Sequence, residues 1–149
     1  MQWLIDNATS TYTFPEAIHP RTNGGCVGDG HHGWAAAEFI HLIRNMLFFE
    51  EGGTLVITPI IPQRWIEPGE IIEVKNAPSY FGEINFKIES TYKMVVLDLD
   101  NHYIKSPEYI EFSLPVRIRK IRIDGKERKI LGRTIRFSSE VKKVIAIRE

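Results

Sequence analysis

FGEINFKIE, residues 81–89, reads as a half-buried strand. Ile84, Phe86 and Ile88 alternate with Glu83, Asn85, Lys87 and Glu89. Side chains along a strand point to opposite faces in turn, so this pattern gives one apolar face and one wet face. Similar short signals flank it at 54–58, 70–75, 91–97, 109–114, 116–123, 134–137 and 141–147. Asp124 and Gly125, between IRI and KERKI, predict a tight hairpin. Short antiparallel strands at this spacing predict a mainly β chain, with an antiparallel, jelly-roll-like β-sandwich over 53–149.

Residues 1–52 read differently, as loop and helix. A helix whose start is missing is predicted to end over 3–8, broken by Ser10 to Thr13 and by Pro15. The stretch 20–30 is loop, rich in Gly, Asn and Asp. One long apolar helix is then predicted over 33–49, with Asp29 as its N-cap and Gly52 and Gly53 as its stop. Trp34, Ala35, Ala36, Phe39, Ile40, Ile43, Met46, Leu47 and Phe49 cover most of its circumference. Glu38, His41, Arg44 and Asn45 leave only a narrow polar stripe. An ordinary surface helix shows one apolar stripe. This one predicts neighbours on several sides, either helices outside the 149 residues or a second copy of the chain.

Composition bounds the partners. Nineteen Lys and Arg balance nineteen Asp and Glu. A neutral chain has no electrostatic footprint for nucleic acid, so none is expected. The run RIRKIRIDGKERK, 117–129, alternates with Ile, which places its cations on the solvent face of strands. No apolar run is long enough to span a bilayer, so no membrane partner is expected. The start MQWLID lacks the pattern of a secretory signal, and the one cysteine excludes an internal disulfide framework. Both point to the cytoplasm.

The segment NATSTYTFPEAIHPRTNGGCVGDGHHGWAAAEF, 7–39, resembles the end of the catalytic domain in six-hairpin (α/α toroid) glycoside hydrolases of the α-L-rhamnosidase-like and glycogen-debranching-like kind. FPEAI, a loop, HHGW and an apolar helix follow in the same order, and ITPIIPQRWIEPGEIIEVKNAPSYFGEINFKIE, 57–89, looks like the start of their terminal β-sandwich domain. The resemblance covers most of the chain. A toroid needs about a dozen helices, so the resemblance implies a C-terminal accessory domain whose barrel lies elsewhere or in a separate toroid subunit. Such a domain would touch carbohydrate without being catalytic alone. Stand-alone carbohydrate binding and a structural homo-oligomer through 33–49 are the competing expectations.

The resemblance implies that Glu16 is a general base in a complete enzyme, paired with a second carboxylate outside this chain. Read without it, Glu16 is a solvated loop residue. His19, Asp29, His31 and His32 are candidate substrate ligands, and Asp29 is equally a helix cap. Arg21 suits a bidentate clamp on a carboxylate or a structural pin. Trp34 and Trp65 are candidate sugar-stacking platforms, with Trp34 read otherwise as core or pocket wall and Trp65 as a plug between linker and sandwich, and Cys26 is read as a packed thiol. The His and Cys spacing matches no standard metal site, so no metal and no cofactor are expected.

Overall fold

The computed structural model describes residues 2–27, 30–100, 102–130 and 132–149. The chain is mainly β with two helices, in a sandwich-like arrangement. It divides into two compact units, one ending at Arg44 and the other beginning at Asn45.

The first unit holds helix α1 (Gln2–Asp6), strands β1 (Ala17–Ile18) and β2 (Gly25–Val27), and most of helix α2 (Gly33–Leu47). β1 and β2 pair antiparallel. Among the described residues of this unit, Phe14 is the single buried hydrophobic side chain, and its ring meets Phe39 of α2 at 4.9 Å. α2 itself buries no side chain.

The second unit carries β3 (Phe48–Glu51), β4 (Thr54–Ile57), β5 (Ile71–Ser79), β6 (Gly82–Ser90), β7 (Met94–Leu99), β8 (His102–Tyr103), β9 (Tyr109–Ser113), β10 (Ile118–Ile123), β11 (Lys126–Lys129), β12 (Thr134–Phe137) and β13 (Lys143–Arg148). The larger sheet has the order β11-β10-β13-β7-β6-β5, with β8 also on β6. The smaller has the order β12-β9-β4-β3. Leu55, Ile57, Ile110, Phe112 and Ile135 of the smaller sheet share one core with Ile84, Ile88, Val95, Leu97 and Val144 of the larger. Phe48 and Phe86 meet edge to face between the sheets, 6.4 Å apart at 87°. β6 carries the alternation expected of it, with Ile84, Phe86 and Ile88 buried.

Three local readings are corrected. The helix stops at Leu47, because Phe48 turns into β3 and pairs with β4. Gly52 and Gly53 are then the two-residue turn of that hairpin, with Gly52 at φ 57°, and not a helix stop. The pair of β4 and β9 is parallel, so the sandwich is not wholly antiparallel. A parallel pair needs a long crossover, and the chain supplies it by laying down β5 to β8 in the larger sheet before returning. The hairpin at Asp124 and Gly125 forms as read. Both residues take positive φ, 43° and 84°, which the tight primed turn requires.

The wet face of the larger sheet is ordered by charge. Glu73, Lys87, Asp98 and Lys143 stand opposite one another across β5, β6, β7 and β13 with alternating sign. Lys143 reaches Asp98 at 2.8 Å. Opposite charges directly across strands favour this register over its neighbours. The 3-10 turn Gln63–Ile66 tucks Ile66 into the core, with Trp65 packed against it as read. The Arg148 guanidinium donates to the Ile66 carbonyl and ties this turn to β13.

Candidate functional site

The first unit contains a cleft of about 480 Å³. Three rings line it, Trp3, Phe14 and Phe39, together with two carboxylates, Glu16 and Glu38. Several short-range bonds hold this wall. The Glu16 amide donates to the Val27 carbonyl at 2.9 Å, extending the β1–β2 ladder by one step. The His32 amide donates to the Phe14 carbonyl at 2.9 Å, which draws FPE against the start of α2. Gly25 permits the approach of β2, since a Cβ there would meet Pro15 Cβ at 2.9 Å. The glycine in this loop therefore serves close packing.

His32 is the hinge of the arrangement. Its Nδ1 accepts the Ala35 amide at 3.3 Å, the geometry of an N-cap. Asp29, the residue read as the cap, lies outside the described residues. With Nδ1 accepting, the ring proton of neutral His32 belongs on Nε2. Nε2 lies 3.6 Å from the Glu16 carboxylate. That is too long for a firm hydrogen bond. Glu16 thus keeps lone pairs open to the cleft while a polarised N–H stands beside it.

The other candidates scatter. Trp34 meets His32 edge-on at 5.9 Å, yet it is 79 % exposed and does not line the cleft. It is neither core nor cleft wall. His19 is engaged in the β1–β2 connection, where its Nδ1 accepts the Arg21 amide at 3.3 Å. Neither His19 nor Arg21 lines the cleft, and His31 is exposed outside it. Cys26 is exposed, not packed, because β2 offers no buried face. Among the described residues, no group of three or more His, Cys, Asp or Glu is placed to hold a metal ion. Among the described residues, no helix is long and apolar enough to cross a membrane.

Glu38 is the site residue that sequence reading missed, being counted there among the polar stripe. The signal was available. Ala35, Glu38, Phe39 and Leu42 share one helical face by their spacing of three and four, and all four line the cleft.

Compared with known proteins, the chain matches no family model, and no curated protein is significantly similar to it.

Proposed function

We propose that this chain is the C-terminal accessory part of a glycoside-hydrolase-like protein. The sandwich braces an α/α toroid, in the jelly-roll manner of such terminal domains. Glu16, with Phe14 and Ile18 beside it, completes one side of the sugar pocket. The observation that carries this reading is the open Glu16 carboxylate, beside the His32 Nε2–H, in a cleft walled by aromatic rings. Rings stack on the apolar faces of sugars, and carboxylates accept their hydroxyls. Glu38 adds a second acceptor in the same cleft. Glycoside hydrolysis also needs a fixed carboxylate pair at defined separation on either side of the bond. In this reading the partner of Glu16 comes from the toroid, and the chain alone, in the cytoplasm, is inactive.

The test is a titration of the protein with mono- and oligosaccharides, following the indole N–H and tyrosine ring signals by NMR, alongside an assay on a panel of aryl glycosides. The expected result is a saccharide-dependent shift of Trp3 that Glu16→Gln weakens at least tenfold, with no hydrolysis. No shift with any saccharide would sink the pocket reading. Turnover by the chain alone would sink the accessory reading. Shifts confined to Tyr80 and Tyr92, both strongly exposed on the sandwich, would favour a stand-alone carbohydrate-binding module.

A second reading rests on α2. With no buried side chain along its length, and Trp34 and Ile40 exposed, it supports self-association through the helix. Light scattering distinguishes the two, since a monomer at every concentration removes this alternative.

A further inference from the structure

Several charges on the sandwich are spent on one another. Lys143 pairs with Asp98, Lys75 with Glu73, Arg136 with Glu111, and both Lys120 and Arg122 with Glu127. Among the cations outside these pairs, three arginines share one groove. A groove of about 440 Å³ is lined by Arg117, Arg119 and Arg133, with Ile130 beside them. Among the described residues, the guanidinium groups of Arg117 and Arg133 make no ion pair or hydrogen bond. Arg119 acts on Glu127 only from a distance, and that carboxylate is already held by Lys120. Glu149 is the acidic residue on the groove.

Backbone geometry keeps the three together. Arg117 and Arg119 flank the buried Ile118, so the strand period sends both away from the core. The register of β10 against β13 shifts between Ile118 and Lys120, and such bulges re-aim the neighbouring side chains. Arg133 approaches from the loop before β12, where its carbonyl accepts the Leu114 amide at 2.9 Å. Three like charges around one groove repel unless an anion joins them. Guanidinium forks match phosphate oxygens in pairs.

We propose that this groove binds a phosphate group, carried as a monoester on a small molecule whose organic part rests on Ile130. The volume suits a small ligand, and a phosphate monoester presents its oxygens to the three guanidinium groups. The site does not depend on the sugar-pocket reading and would stand if that reading failed.

The whole chain is titrated with inorganic phosphate and with glucose 6-phosphate by calorimetry, at constant ionic strength with chloride as control. Saturable one-to-one binding is expected, weakened at least tenfold in Arg117→Ala and in Arg133→Ala. Arg128→Ala, on the exposed edge strand β11, should bind as the parent does. Arg117→Lys keeps the charge but loses the fork, and should fall between. Tighter binding of the sugar ester marks the organic part as recognised, while equal binding assigns free phosphate as the ligand. Either supports the site. No saturable binding of either probe overturns it, as does binding that persists in the Arg117→Ala/Arg133→Ala double variant with an unchanged melting temperature.

Discussion

The two units of this chain are held by different forces. The unit beginning at Asn45 buries a continuous core from both sheets, with Leu55, Ile57, Ile110, Phe112 and Val144 fully inside. Each such side chain stabilises by about 1.5–3 kcal/mol through removal from water. The unit ending at Arg44 has Phe14 as its buried apolar anchor among the described residues, and otherwise relies on hydrogen bonds. Thr9 bridges to Thr13, Phe14 to His32, and Glu16 to Val27. Hydrogen bonds exchanged with water add about 1 kcal/mol each at best. The first unit is thus the part whose order depends on what touches it.

The comparison breaks most visibly in the core. Phe112→Ala should cost about 3–5 kcal/mol, read as a lower midpoint in chemical denaturation. Phe14→Ala should leave that midpoint within about 0.5 kcal/mol and instead speed proteolytic cutting within 1–44. Equal loss from both would show that the units fold as one. Gly82→Ala comes next. Gly82 sits at φ 118°, and a Cβ would meet the His102 carbonyl oxygen at 2.8 Å. Forcing a side chain there should cost about 1–3 kcal/mol and loosen β8 from β6, which faster amide exchange at Glu83 and Tyr103 would report. His32→Ala removes a cap and should weaken the start of α2 by about 1 kcal/mol, visible as exchange at Ala35 and Ala36 with the sandwich unaffected.

The smallest effect concerns pH. The hydrogen bond from Lys120, aided by its charge, holds the Glu127 carboxyl below the usual carboxylate range. A lowered folded-state value means the stabilisation exists above the ordinary pKa and is lost as pH falls through the lowered one. The Glu127 side chain is about half exposed, so the effect stays local to the β10–β11 hairpin. Carbon-detected NMR should show Glu127 titrating late on acidification, and Lys120→Met should return it towards the ordinary range.

Sequence periodicity exposed the sandwich because each strand has one wet face. The alternation in β6 and the turn at Asp124 and Gly125 are properties of a few adjacent residues. Those at Gly52 and Gly53 were ambiguous for the same reason, since a glycine pair ends a helix or turns a hairpin equally well. What settles it is β3 pairing with β4 and packing Phe48 into the core, a tertiary fact. The parallel pair of β4 and β9 was also beyond reach, because no local pattern encodes which distant strand lies alongside. In the candidate site, Glu16 and His32 were visible as residue types. Their meeting through the Phe14 carbonyl was not, and neither was Glu38 turning towards the cleft.

β13 lies between β10 and β7, so the strand at 143–148 occupies the middle of the larger sheet. On a ribosome, that order has a consequence in time. The block from β5 to β8 and the hairpin of β10 and β11 are made before β13, and they have no shared neighbour until β13 leaves the exit tunnel. The sheet therefore closes like an arch whose keystone follows its flanks. A nascent chain stalled before Lys143 should remain protease-sensitive across its full length, and release of a few more residues should convert the sandwich to its resistant form in a single step.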